Sequence, residues 1–329
     1  MGRYDRELSA GIEAVRAAAR VCRAVAQRLV TADTHEKKDQ SPVTVADFAS
    51  QAVVCQRLER AFPGDPVVGE EDASELRGAA SALRATVQRA VSAEVGGDPG
   101  AAPVLSWIDR GRAPADGRRY WTLDPIDGTK GFLRGEQYAV ALALIEEGEV
   151  VVGLLGCPNL PDDAGGQGAL FATVRGGGAR RLALWDAADA EGRRIEVAHP
   201  RSPAEARFCE SVESAHSDQE HSAKIAALLG IRSEPYRIDS QCKYAAVAEG
   251  DASIYLRLPT RQDYREKIWD HAAGKLVVEE AGGCVTDAGG AELAFRHGRT
   301  LAANQGVVAT CGGAIHERVI AAIQQVRGG

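Results

Sequence analysis

Two hydrophobic periodicities share this chain, and a chain that carries both can be neither all-helical nor all-β. Near the N-terminus Leu8, Ile12, Val15, Ala19, Cys22, Ala26 and Leu29 recur in steps of four and three, one apolar stripe along a long helix with arginines on its other faces. Further on, residues 139–145 and 150–155 are continuous apolar, β-prone runs joined by Glu146-Glu147-Gly148-Glu149, a hairpin signal. A second helix is expected after Thr44, with Phe48, Ala52, Cys55, Leu58 and Phe62 on one side and Pro63, Gly64 and Pro66 ending it. Within 73–117 the expectation is a helix and a loose loop around 96–103. Strands are expected at 67–69, 120–123, 169–174, 195–198 and 254–258, and helices near 222–229, 241–248, 268–281 and 314–326. The turn-rich stretch 161–168 reads as a surface loop or a boundary. Strands and helices mix without strict alternation, which predicts an α/β (α+β) layered fold with mixed sheets.

With 329 residues the chain can build a large core without disulfide or metal staples. No apolar run reaches the ~18 residues that a membrane span needs. The 39 basic and 46 acidic residues leave a net charge of -7, which argues against a broad basic face for a nucleic-acid polymer. A small anionic ligand is still allowed, because a few local cations or a bound metal override net charge. The seven cysteines are scattered and form no C-x-x-C pair, so neither a zinc knuckle nor a thioredoxin motif is present. The N-terminus lacks the apolar core of a secretory signal, and Asp5, Glu7 and Glu13 interrupt its likeness to a transit peptide. A cytoplasmic protein with reduced thiols is expected, with an organellar compartment left open.

The densest chemistry lies in Trp121-Thr122-Leu123-Asp124-Pro125-Ile126-Asp127-Gly128-Thr129. Two acids sit three apart at the end of an apolar strand, where Pro125 stops the ladder and Gly128 permits a tight turn. Such a turn can aim both carboxylates and the Ile126 carbonyl at one point, the oxygen set that hard cations such as Mg²⁺ take. Backbone N–H groups at Gly128 and Thr129 are placed to meet a phosphate. The plain alternative is that Asp-Pro and Asp-Gly are turn formers. An aspartyl-phosphate enzyme of the haloacid dehalogenase type needs D-x-D, and the spacing here is one residue longer. Asp47, expected in a first helical turn, Glu70 after a short strand, and Asp270 near the start of an apolar helix each read alone as a dipole acid or a solvated loop.

Taken together these stretches resemble the lithium-sensitive, magnesium-dependent phosphomonoesterases of the inositol monophosphatase superfamily. The shared signature is D-P-[IL]-D-G-T with G-E-E upstream and W-D downstream, here Asp124 to Thr129, Gly69-Glu70-Glu71 and Trp269-Asp270. Within it the chain is most similar to the branch of 3'(2'),5'-bisphosphate nucleotidases. That resemblance rests on Ser41-Pro42-Val43-Thr44-Val45-Ala46-Asp47, Asp239-Ser240-Gln241-Cys242-Lys243-Tyr244, Tyr255-Leu256-Arg257-Leu258-Pro259 and Glu266-Lys267-Ile268-Trp269-Asp270-His271. The branch usually has Ala where Cys242 stands. The resemblance covers the chain from about residue 4 to 325, and within it residues 73–117 and 161–168 carry no stretch that can be named.

The resemblance implies an αβαβα layered sandwich, with residues 1–165 as an α+β metal-binding part and 166–329 as an α/β part covering the substrate. It implies that Glu70, Asp124, Asp127, Asp270 and the Ile126 carbonyl hold two or three Mg²⁺ ions, with inhibition by Li⁺. Asp47 and Thr129 would orient and deprotonate a water, and Gly128, Thr129, His216, Ser240, Lys243 and Arg257 would contact the substrate. The implied reaction is removal of the 3'-phosphate from adenosine 3',5'-bisphosphate by direct attack of water, giving AMP and phosphate; 3'-phosphoadenosine 5'-phosphosulfate, an intermediate of sulfur metabolism, is a further implied substrate. Converging carboxylates raise one another's pKa, and Mg²⁺ relieves that. Inositol polyphosphate 1-phosphatase activity on inositol 1,4-bisphosphate and a non-catalytic nucleotide sensor are the alternatives, together with redox regulation through the cysteines. A monomer or weak homodimer with a small nucleotide as its partner is expected.

Overall fold

The structure is a computed structural model that describes residues 2–31, 42–78, 81–186, 188, 191–212, 219–259, 261 and 263–328. The N-terminal stripe forms α1 (Asp5–Thr31), with Asp5 and Glu7 in the first turn complementing the helix dipole. Its buried face is wider than the stripe: Ala14, Ala17 and Ala18 are buried along with Val15, Ala19 and Cys22. The reason is that α1 packs both on α2 (Pro42–Ala61) and on a β-sheet. α2 starts two residues before Thr44, with Pro42, whose missing N–H costs nothing at a helix start.

Between residues 73 and 117 the single expected helix is three: α3 (Ser74–Gly78), α4 (Ser81–Val95) and α5 (Ala101–Asp109). The loop between α4 and α5 is short because Asp98 accepts the Gly100 N–H at 2.9 Å, closing the turn, after which Val104 and Ile108 are buried.

The first sheet has seven strands in sequential order: β1 (Val67–Gly69), β2 (Arg119–Asp127), β3 (Ala139–Glu146), β4 (Glu149–Pro161), β5 (Gln167–Val174), β6 (Ala179–Ala183) and β7 (Arg193–Arg194). Only β1 and β2 are parallel. The β3–β4 turn is tight because Glu147 (φ 54°) and Gly148 (φ 82°) are both left-handed. The turn-rich stretch after residue 161 joins the neighbours β4 and β5, so it is a surface hairpin loop. Residues 195–198 form no strand. Ile195 and Val197 donate to Ala179 and Ala281, on two different elements, so no ladder is built.

The second sheet contains β8 (Phe208–Glu210), β9 (Tyr236–Arg237), β10 (Ile254–Arg257), β11 (Cys284–Thr286) and β12 (Val307–Thr310), in the order β11-β12-β10-β8-β9. The four later helices are α7 (Gln219–Leu229), α8 (Cys242–Ala248), α9 (Ala272–Glu280) and α10 (Gly313–Gly328), with α6 (Thr129–Arg134) following β2. α1 and α2 cover one face of the first sheet; α8 and α9 touch strands of both sheets; α10 joins β12 to α7. The layers therefore run αβαβα. Among the described residues no helix is long and apolar enough to cross a membrane.

Candidate active site

β2 does not end at Asp124-Pro125 as Pro125 suggested; it continues to Asp127. The ladder to β3 is irregular there, since Asp124 pairs with Ala141 and Asp127 with Ala139. One extra residue on β2 is a bulge, and it takes up the N–H that Pro125 lacks. In a regular strand, residues three apart face opposite sides of the sheet. Here both acids pair with residues two apart on β3, so the bulge turns the two carboxylates to one side. Asp124 accepts the Ile126 N–H at 3.1 Å, and the freed Pro125 carbonyl accepts from Ser50 of α2 at 3.1 Å.

Neighbouring elements add the other groups. Asp47 is on the second turn of α2, not the first, because that helix begins early. Glu70 follows β1. The Gly69 carbonyl there accepts from Arg299, which also donates to Gly111 at 3.1 Å and stacks over Trp269 at 4.8 Å. Gln51 holds Glu71 from both sides, donating to its carbonyl at 2.6 Å and accepting its N–H at 3.1 Å. Asp270 lies two residues ahead of α9, which begins at Ala272 and not at residue 268. Ser240 takes a left-handed conformation (φ 65°) against Gly128, where a Cβ would sit 2.7 Å from that of Ser240. That close approach lets the Gln241 N–H donate to the Asp127 carboxylate. Lys243 is the second residue of α8, buried, with its ammonium 5.4 Å from the Tyr255 ring.

Asp47, Glu70, Glu71, Asp124, Asp127, Ser240, Lys243 and Asp270 line one cleft with a cavity volume of about 370 Å³. Asp47, Glu70, Asp124, Ile126, Asp127, Gly128, Thr129, Ser240, Lys243, Arg257 and Asp270, the residues singled out from the sequence, are brought together there, and only His216 lies outside the described residues. The cleft also takes in Glu71, Lys130, Asp239, Gln241 and Tyr255, to which sequence reasoning gave no role although most flank the quoted motifs.

The electrostatics follow from crowding. Burial holds Asp124 well above the usual carboxylate range, and the charges acting most on it, those of Glu70, Asp127, Asp270 and Asp47, are all negative. Burial, then Glu71 and Glu70, push Asp47 up to about 9. Burial, then Glu71 and Asp127, push Glu70 up to about 7, although its side chain is open to the cleft. Burial lifts Asp270 to about 6 against the opposing pull of Arg257. In the same cleft, burial lowers the Lys243 pKa while Asp127 holds it up. A wall of repelling carboxylates with a backbone carbonyl among them is a donor set that fits hard divalent cations. Glu266, Asp270 and His271 also bring ligand atoms within 4.8 Å of one another, a spacing that could hold a metal ion. Glu266 and His271 are already bonded to each other and to Arg257 and Tyr244, so of those three Asp270 is the one with its carboxylate at the cleft.

A fold of two sheets between three helical layers, with a carboxylate cleft at a bulged strand end, is that of a class of phosphatases. The chain belongs to the inositol monophosphatase family, whose model matches residues 4–327. It is 48% identical to the 3'(2'),5'-bisphosphate nucleotidase of Emericella nidulans, covering 89% of this chain and 90% of the relative. With the 3'(2'),5'-bisphosphate nucleotidase of Schizosaccharomyces pombe it shares 44% identity over 98% of this chain and 96% of the relative. The fold is also that of an inositol monophosphatase from Zymomonas mobilis, with a TM-score of 0.67 at 21% identity over 98% of this chain and 100% of that one.

Proposed function

We propose that this chain hydrolyses the 3'-phosphate of adenosine 3',5'-bisphosphate, giving AMP and phosphate, as the names of its relatives indicate for them. The observation that carries the reading is the polarity of the cleft. A cluster of carboxylates shares one cavity with Lys243 and Arg257, which suits a substrate that carries two phosphates. We take Glu70, Asp124, Asp127, Asp270 and the Ile126 carbonyl as holders of Mg²⁺. Bound there, the ions would neutralise the phosphoryl oxygens and polarise a water.

The chain's own groups do the rest. Asp47, raised by burial and its acidic neighbours, is the acceptor for the water proton, and the Thr129 hydroxyl orients that water. Gly128 and Thr129 offer backbone N–H groups to the scissile phosphate. Lys243, Arg257 and Ser240 hold the second phosphate and the nucleotide, so the scissile bond is presented at a fixed distance from Asp47. No Ser, Cys or Asp nucleophile is required, and attack is direct. In this reading residues 1–165 supply the metal-holding groups other than Asp270 together with the Gly128 and Thr129 contacts, and residues 166–329 supply Asp270 and the contacts of Ser240, Lys243 and Arg257.

The test is phosphate release from adenosine 3',5'-bisphosphate, inositol 1,4-bisphosphate and fructose 1,6-bisphosphate, with Mg²⁺ and with EDTA. Fast turnover of the nucleotide alone, abolished by EDTA and reduced by Li⁺, is the expected result. Preference for an inositol or sugar bisphosphate overturns the substrate, and release from none of them overturns the activity.

A further inference from the structure

Glu266 is buried (4% exposed) behind the cleft wall, and the mechanism above gives it no task. Its Oε2 accepts from Arg257 Nε at 2.8 Å and from His271 Nε2 at 3.1 Å. A carboxylate only accepts, so Nε2 carries a proton; Nδ1 shares a hydrogen bond of 2.7 Å with the Tyr244 hydroxyl. His271 and Tyr244 are wholly buried. The chain of bonds crosses three elements, from α8 through the start of α9 to β10. Gly274 makes it reachable, since a Cβ at that position would lie 2.2 Å from the Tyr244 ring. The backbone of Glu266 is itself pinned by the Leu301 N–H at 2.8 Å.

Arg257 has a second carboxylate within reach. Its Nη2 lies 3.5 Å from Asp270 and 3.5 Å from the Tyr264 hydroxyl. Glu266 takes the Nε edge at the shorter distance, which leaves the guanidinium bordering the cleft and Asp270 free of a direct bidentate pair. Were Glu266 neutral, Asp270 would be the nearest charge left for the guanidinium to close on.

We infer that Glu266, buttressed by His271 and Tyr244, is a positioning residue that holds Arg257 at the cleft wall and limits its contact with Asp270 to a single long one, and so sets the preference for substrates with a second phosphate. This rests on the hydrolase reading above. The experiment compares kcat and KM for adenosine 3',5'-bisphosphate and adenosine 3'-monophosphate in the full-length protein with Mg²⁺. It uses wild type, Glu266→Gln, Tyr244→Phe, Arg257→Met and each of the first two combined with Arg257→Met. In Glu266→Gln the bisphosphate-to-monophosphate ratio of kcat/KM is expected to fall about tenfold, through KM, and in Tyr244→Phe about threefold. In the Arg257→Met background both substitutions are expected to change the ratio by less than about twofold, as coupling through Arg257 demands. Equal losses on both substrates, or the same shift with and without Arg257, overturn the inference. Tyr244→Phe removes a single hydroxyl, and it carries the same comparison if Glu266→Gln does not fold. Wild type that turns over neither nucleotide overturns the functional reading and this inference with it. Wild type that prefers the bisphosphate while the variants leave the ratio unchanged overturns this inference alone.

Discussion

Asp47 differs from the other acids of the cleft in resting on a helix, buried against Glu70 and Glu71. Those neighbours and burial are what lift it to about 9, so by itself it would keep its proton at neutral pH. A base must be ionised to act, so the reading needs positive charge among the carboxylates before Asp47 works, and it makes proton acceptance the residue's only special property. Asp47→Asn keeps the size and loses that property. kcat is expected to fall by about 10²- to 10⁴-fold, with KM within about threefold. Steady-state kinetics on the nucleotide decide it, and an unchanged kcat removes Asp47 from proton transfer.

Between elements, close approaches rather than side-chain chemistry do the positioning, and these divide what could be read in advance from what could not. The acids of Asp124-Pro125-Ile126-Asp127 are neighbours in the chain, so their common site was legible as a local pattern. The strand's continuation through Pro125 was not, because the bulge that accommodates the proline is a property of β2 paired with β3. Glu70 and Asp270 alone read as ordinary loop or helix-start acids and joined the site only through the family resemblance. Gln51, Gln241 and Arg299 gave no signal, since each acts by bonding the backbone or carboxylate of residues distant in sequence. Gly274 is of the same kind: its meaning is the Tyr244 ring of another helix. Gly274→Ala forces α8 and α9 apart. It is expected to cost about 1–3 kcal/mol by overpacking, seen as a lower midpoint in denaturant unfolding at unchanged slope. No loss of stability would show that the two helices can separate freely.

Across the whole molecule the cleft stores electrostatic repulsion that depends on pH. Without bound cations, Glu70 is raised to about 7, Asp270 to about 6 and Asp47 to about 9, each above its ordinary carboxylate value. The folded state therefore binds more protons than the unfolded chain over that interval. Stability then falls as pH rises, from the ordinary carboxylate range near 4 up through the raised values. Cations that bind the ionised carboxylates of the folded state act in the opposite sense, because protons no longer compete with them at higher pH. EDTA-treated protein is accordingly expected to lose thermal midpoint between pH 6 and pH 8.5, and the rise in midpoint caused by Mg²⁺ is expected to be larger at pH 8 than at pH 6. Differential scanning calorimetry at fixed ionic strength measures both. A Mg²⁺-induced rise that shrinks with pH, or none at all, would show that the carboxylates do not hold the metal. An NaCl control at equal ionic strength separates divalent binding from general screening, since it screens the exposed charges alike and should leave the buried cleft largely unrelieved.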